Sequence, residues 1–258
     1  MPHLHYPLSS GFLFAPKPLM IYQRKDYVSA SMCDGATKLS AIAIFQLIQD
    51  AVTETMGDLH IDGVTAMREY GAMWVFVKNR IQIFSRPAWR EQFETRCFIS
   101  KVTPAKLMID TEMRTSDGEP MIHSRLELCA LDLEKGKIRK TDTVGVTSQM
   151  AKMPPLPDIS FARFPRTEPE SLESVTVRST NLDYCFHTNN IEYVRFILNT
   201  YPAKKFQEQE VTALEIHYGN QTHEGDLIDI GKTTLDDADY FSLTSNGKTA
   251  AECMLYWK

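Results

Sequence analysis

The sequence predicts an α+β chain in which one unit, a long helix followed by a run of antiparallel strands, occurs twice. Three observations carry that prediction. Apolar residues recur at helical spacing after Ser40 and again from Asn190 to Tyr201. Each helical pattern is followed by short runs rich in β-branched and aromatic residues, bounded by turn residues. Sliding the second half onto the first brings Asp183 onto Asp34, Ile191 onto Ile42, Val194 onto Phe45 and Ile197 onto Ile48; with a second offset Glu215 falls on Arg80.

In chain order, residues 1–20 read as a loose arm. They have no basic leader and their apolar stretch is broken by prolines, unlike a signal peptide. Residues 21–149 form the first unit. Ala41, Ile44, Phe45, Ile48 and Val52 share one helical face, Ser40 is placed to cap and Gly57 to end the helix. Strand-like runs follow from Trp74 to Phe84, in QFETRCFIS, in LMIDTEMRT and in HSRLELCALDL, with turn signals at Asp117-Gly118 and Lys135-Gly136. The longer loop around HIDGVTAMREYGAM absorbs the difference between the two offsets. Residues 150–174 hold five prolines and no clean period, so they read as a linker. Residues 175–258 form the second unit. Asn189 caps its helix, Glu192 completes a capping box and Pro202 stops continuation. The runs VTALEIHYG, DLIDIGKTT, YFSLTS and KTAAECMLYW follow, and Asn246-Gly247 marks a hairpin. Two such units side by side extend one sheet and bury more apolar surface than either alone, predicting a pseudo-dimer within one chain.

The bulk numbers narrow the function classes. The chain has 258 residues, 43% hydrophobic and 24% charged, with a net charge of −5. No basic excess exists to neutralise phosphates, which argues against a nucleic-acid binder. No apolar run reaches the roughly 20 residues of a membrane span. Cys33, Cys97, Cys129, Cys185 and Cys253 lie far apart with no paired spacing, so they read as reduced thiols of a cytosolic protein. Cys97, Cys129 and Cys253 fall in strand-like runs, as small core residues do.

Chemistry concentrates before the second helix. In NLDYCFHTNNIEYV, Asp183, Cys185 and His187 stand at alternate positions and lie on one face if the segment is extended. The helix that follows points free amides at the same region, suited to a developing oxyanion. A carboxylate and an imidazole beside such donors fit acyl-transfer hydrolysis. The same residues also fit an Asx-turn at Asp183, a satisfied loop histidine and a small buried cysteine. A zinc site would need distant ligands such as His217 or His223, and no spacing signature supports one.

The segment LDYCFHTNNIEYVRFIL resembles the acyl-acyl carrier protein thioesterase family, which carries Asp-x-Asn-x-His-x-Asn-Asn-x-x-Tyr at this place. Asp183, His187, Asn189, Asn190 and Tyr193 match. The first half is also similar, through LSAIAIFQLIQDAV, the aromatic strand from Trp74 and the RPAW turn. The resemblance implies a tandem (double) hot-dog, each repeat a central helix wrapped by an antiparallel sheet. It implies hydrolysis of acyl-carrier thioesters to free fatty acid, ending chain elongation, with no cofactor or metal. It places the catalytic group at Asp183, His187, Cys185 and Gln221, and substrate contacts at Asn189 and Asn190. It puts an acyl slot in the first repeat, for which Ile44, Ile48, Trp74 and Phe76 are the candidates. Asp34 and Lys38 occupy the first-repeat positions of Asp183 and His187, so that repeat keeps the scaffold without the site.

Two positions depart from the family. Cys185 stands where it has asparagine, and Gln221 where it has glutamate. Thr222 replaces the plant members' neighbouring cysteine, and Glu224 lies three residues on. Gln221 keeps hydrogen bonding but is no base, and Cys185 replaces an amide donor by a thiol. The alternatives are therefore an acyl-CoA thioesterase on the same fold and a non-catalytic acyl-binding protein. The implied partner is an acidic acyl carrier protein. Lys204 and Lys205, or the run Lys135, Lys137, Arg139 and Lys140, are candidate basic surfaces for it. Neither nucleic acid nor membrane is expected as a partner, and the assembly is a pseudo-dimeric monomer or a homodimer of it.

Overall fold

The structure is a computed structural model that describes residues 21–258. The predicted arm at 1–20 lies outside the described residues.

The first half begins with an edge strand, β1 (Tyr22–Tyr27), and the long helix α1 (Ala41–Asp58). Ser40 caps α1 by accepting the Ala43 N–H at 3.1 Å, an interaction usually worth about 1 kcal/mol. The helix runs one residue past Gly57 and closes at Leu59. A short helix α2 (Gly63–Tyr70) occupies the loop between the two offsets. Asp62 caps it through the Val64 and Thr65 amides, and Gly71 ends it in the left-handed region. Strands β2 (Ala72–Ile83), β3 (Gln92–Val102), β4 (Leu107–Arg114) and β5 (Pro120–Asp132) follow, with the two-residue β6 (Ile138–Arg139) beside β5.

The second half repeats this order. It has an edge strand β7 (Glu170–Thr176), the helix α3 (Asn190–Asn199) and a one-turn helix α4 (Ala203–Glu208). Then come β8 (Val211–Tyr218), β9 (Leu227–Thr234), β10 (Ala238–Ser245) and β11 (Lys248–Trp257). Asn246 and Gly247 turn the last hairpin with φ of 51° and 71°.

All strands join one antiparallel sheet in the order β1-β3-β4-β5-β2-β8-β11-β10-β9-β7. The order is the same read from either end, half against half: a tandem hot-dog with α1 and α3 against its inner face. A single apolar core includes Ile44, Ile48 and Val52 of α1 together with Val194, Ile197 and Leu198 of α3. Cys97, Cys129 and Cys253 are buried.

The halves join where β2 pairs with β8, and Arg80 lies opposite Glu215 in the register. These two residues are repeat equivalents, so the pseudo-two-fold axis passes between them. In a homodimer of single repeats the same residue would face itself there. A fused chain can place opposite charges at the axis instead, and Arg80 Nη1 lies 3.0 Å from Glu215 Oε2. Glu215 is fully buried, so truncating Arg80 would remove one of its hydrogen-bonding partners, at a cost of about 1–3 kcal/mol.

The proline-rich segment is not a free connector. Its last residues are β7, and its middle is tied to the outer face of the sheet. The Ala162 N–H donates to both Glu215 oxygens at 2.8 and 3.1 Å. Arg125, paired with Asp110, donates to the Leu156 and Ile159 carbonyls, and the Leu156 N–H donates back to Asp110. Phe164 stacks on His217 with ring centroids 3.9 Å apart. His217 is thus held on the outer face with Glu215, 2.7 Å away.

Candidate active site

The loop into α3 is built by Asp183. Its Oδ1 accepts the Cys185 N–H at 2.8 Å and the His187 N–H at 3.2 Å. The Asp183 N–H donates to the His187 carbonyl at 2.8 Å, and Phe186 takes φ of 62° to close the turn. The Asx-turn is therefore formed. It consumes one carboxylate oxygen and leaves Oδ2 without a protein partner among the described residues. Asn189 caps α3 by accepting the Ile191 N–H at 3.1 Å. Glu192 does not close a capping box. It accepts instead from Asn181 Nδ2 at 2.8 Å and Arg195 Nε at 3.0 Å.

A second segment, residues 219–222 after β8, locks onto this loop. The Thr188 N–H donates to the Thr222 carbonyl at 2.9 Å. The Thr222 hydroxyl, 2% exposed as a residue, sits 2.7 Å from the Thr188 hydroxyl and 2.8 Å from Tyr193 Oη. Each satisfied bond of this kind contributes about 1 kcal/mol. Gly219 lets the segment come close: a Cβ there would stand 2.5 Å from the Thr249 carbonyl oxygen.

The loop, the 219–221 segment and the first half enclose a cleft of about 270 Å³. Asp183, Cys185, His187, Asn189, Asn190 and Gln221 all line it. So do Trp74 and Phe76 of β2, whose inward direction follows from a bulge between Phe76 and Lys78. Trp74 is fixed by donating to the Ile61 carbonyl at 2.6 Å. Ile44 and Ile48 do not reach the cleft. They are 0% and 2% exposed and belong to the core, because they lie on the stripe of α1 that faces the sheet. The cleft side of α1 is Gln49, Val52, Thr53 and Met56; the sequence reading places Val52 in the core and misses Gln49, Thr53 and Met56, and Val52 and Met56 belong to the core as well. Met67 of α2 and Met73 were missed as well. Glu224 is exposed and does not line the cleft. Neither basic cluster does: Lys204 pairs with Glu208 and Lys205 lies over Trp257, while Arg139 donates to the Tyr70 carbonyl.

Burial lowers the His187 pKa below the ordinary 6.5; the charge of Asp183 opposes this and His223 adds to it. The imidazole is thus neutral near pH 7, able to accept a proton. The His223 ring stands 5.1 Å from it, edge-on. Burial, then the Asp183 charge, raises the Cys185 thiol above its usual value, so it is not a thiolate at neutral pH. Tyr184 is pushed up to about 12, chiefly by burial. Its hydroxyl lies over Gly63, where it would meet any added Cβ, so the loop reaches the start of α2 across the cleft. The Asn190 amide is the first of α3, at the end where main-chain N–H groups have no intrahelical acceptor.

Residues 165–258 match the family model of the acyl-ACP thioesterase C-terminal domain. The chain is 20% identical over 185 residues to oleoyl-acyl carrier protein thioesterase 1, chloroplastic, of Arabidopsis thaliana, covering 67% of this chain and 51% of that protein. It is 21% identical over 154 residues to the palmitoyl-acyl carrier protein thioesterase, chloroplastic, of Cuphea hookeriana, covering 57% and 37%. The chain spans about half the length, or less, of the curated relatives it matches. Among solved structures, an acyl-ACP thioesterase from Bacteroides thetaiotaomicron superposes with a TM-score of 0.85 at 16% identity, over 93% of this chain and 98% of that one. The 12:0-ACP thioesterase from Umbellularia californica gives 0.79 at 15% identity, over 95% and 99%. Residues 165–258 are therefore similar to the acyl-ACP thioesterase C-terminal domain, and nearly the whole chain shares its tandem hot-dog fold with solved acyl-ACP thioesterases.

Proposed function

We propose that this protein hydrolyses fatty acyl thioesters carried by acyl carrier protein, releasing the free fatty acid. One observation carries the reading: the polar groups of the α3 loop and the apolar stripe of α1 and β2 open into the same cleft. A thioester needs both, a dry slot for its chain and polar groups at its carbonyl.

In this reading the acyl chain lies along Val52, Met56, Trp74 and Phe76, and the carbonyl rests at the start of α3. The Asn190 amide and the helix dipole stabilise the oxyanion as it forms. Neutral His187 takes a proton from water as the water attacks the carbonyl carbon. The tetrahedral intermediate then collapses, the C–S bond breaks, and the imidazolium returns the proton to the leaving thiolate. Asp183 holds His187 through the turn, and its free Oδ2 orients the water. Gln221 acts by hydrogen bonding, not as a base. Cys185 stays protonated and is not the nucleophile.

The partner is the carrier protein, and the cell compartment is the cytosol in which five unpaired thiols stay reduced. Steady-state hydrolysis of acyl-carrier and acyl-CoA thioesters tests the reading. Turnover that prefers the carrier supports it. Acyl binding without turnover on any thioester would overturn it in favour of a binding protein.

A further inference from the structure

A second recess of about 420 Å³ lies beside the cleft, and the two meet along Asn220, Gln221 and Ala250. It is bounded by the 220–226 loop on one side and the β10–β11 hairpin on the other. Unlike the cleft, it has no methionine or aromatic ring other than His223 in its lining, which includes Ser245, Asn246, Lys248 and Asp226.

Ser245 is the informative residue. It is 6% exposed, and its hydroxyl is buried with no hydrogen-bond partner. A hydroxyl left unpaired in this way costs about 1–3 kcal/mol, a cost removed when a ligand supplies the partner. Lys248, directly opposite Ser245 in the hairpin, is exposed and makes no ion pair among the described residues. The one carboxylate of the recess, Asp226, is engaged by the His223 N–H at 2.8 Å, with the His223 ring 3.8 Å away. A buried unpaired hydroxyl and a cation without an ion pair among the described residues therefore lie in a recess that opens from the cleft at Gln221.

We propose that this recess binds the phosphopantetheine arm, the amide-rich and phosphate-ended chain on which carrier proteins and coenzyme A both hold acyl groups. The inference rests on the function proposed above and extends it. Ser245 meets the amide and hydroxyl groups of the arm, and Lys248 pairs with its phosphate at the rim.

The test presents one acyl group on N-acetylcysteamine, pantetheine, phosphopantetheine, coenzyme A and the carrier protein. The expected result is that Lys248→Glu lowers the preference for phosphopantetheine over pantetheine, in kcat/KM, by about tenfold, and that Lys248→Arg restores it. Ser245→Ala, which removes only the hydroxyl, raises KM for the pantetheine thioester relative to the N-acetylcysteamine thioester. A Lys248→Glu loss seen on the carrier thioester and not on acyl-CoA assigns the arm to the carrier; the reverse assigns it to coenzyme A. Equal losses on pantetheine and phosphopantetheine, or none, overturn the proposal. Titration of phosphopantetheine itself into the Asp183→Asn protein, with and without Lys248→Glu, reads the recess without turnover. If no thioester is hydrolysed, the proposed function fails, while this titration still decides whether the recess binds the arm.

Discussion

The loops before α1 and α3 have the same backbone and different chemistry. Asp34 Oδ1 accepts the Ala36 and Lys38 amides as Asp183 Oδ1 accepts those of Cys185 and His187. Thr37 and Phe186 take the same positive φ, 58° and 62°. The Leu39 N–H donates to the Pro87 carbonyl as the Thr188 N–H does to that of Thr222. Each loop even borders a cavity, about 160 Å³ at Asp34 and 270 Å³ at Asp183. The side chains then diverge. Arg86 stands where the second half has Gln221, and it pairs with Asp34 and lies 3.6 Å from Glu210. Lys38, in the place of His187, pairs with Glu210 at 2.8 Å. At Asp34 every charge is answered by a protein charge. At Asp183 the carboxylate shares the cleft with the neutral His187 imidazole and the Gln221 amide, and one of its oxygens has no partner among the described residues. The Asx-turn is scaffold common to both halves; in the mechanism proposed above, reactivity would come from leaving the second carboxylate uncompensated.

That contrast sets the order of expected effects. His187→Ala should lower kcat by about 10²–10⁴-fold, the range for a general base, while Lys38→Ala, its counterpart, should change it less than about twofold. Steady-state rates on one acyl-carrier thioester decide; comparable losses from both would show that the loops are not functionally distinct. Asp183→Asn keeps the oxygen that accepts the Cys185 and His187 amides and removes only the charge. Its expected effect is a kcat loss of about 10²-fold with an unchanged melting temperature. Asp34→Asn should do the opposite, keeping activity and lowering stability by about 1–3 kcal/mol, because Arg86, 9% exposed at its side chain, loses its partner.

How much of this was legible in the sequence follows the same division between scaffold and chemistry. Helices α1 and α3 were readable because Ser40 and Asn189 cap them and their core stripes are periodic. Strands β1 and β7 were not, because YQRKDY and ESLESVT are exposed edges with no apolar alternation. Helix α2 was taken for loop, since Ala66 alone among its residues is buried; Asp62 and Gly71 were the available signals. The polar site residues stood out by type and spacing. Of the residues lining the cleft's apolar side, Trp74 and Phe76 stood out on β2, whereas Gln49, Thr53 and Met56 did not, because they share a helix with a stronger core stripe at Ile44 and Ile48. The anchoring of the proline-rich segment was invisible in principle: it runs through main-chain groups of Leu156, Ile159 and Ala162, which no side-chain pattern encodes.

The pH profile gives a smaller effect with a definite sign. His187 titrates below its ordinary value because burial disfavours the imidazolium. As general base it must be neutral, so kcat/KM should fall on the acid side with an apparent pKa below 6.5. The same shift makes folding less favourable as pH drops through 6.5, because the unfolded chain binds the proton more readily there. His223→Ala removes a group that lowers the His187 pKa, so the acid limb should move up toward 6.5. A limb that stays in place would remove His223 from the site.

Cys185 has the smallest expected effect and the sharpest meaning. Its counterpart in the first loop is Ala36, a residue with no chemistry, and both serve the turn through the backbone N–H that reaches the aspartate. Burial and the adjacent Asp183 charge keep the thiol protonated at neutral pH. Cys185→Ser should therefore change kcat by less than about threefold, since serine keeps the amide and nearly the same volume. Wild-type protein should also leave no acyl adduct on this residue when a turnover is quenched in acid and analysed by mass spectrometry. A trapped thioester at Cys185, or a loss near that of His187→Ala, would mean that the second loop differs from the first by a nucleophile, and that His187 serves the sulfur rather than water.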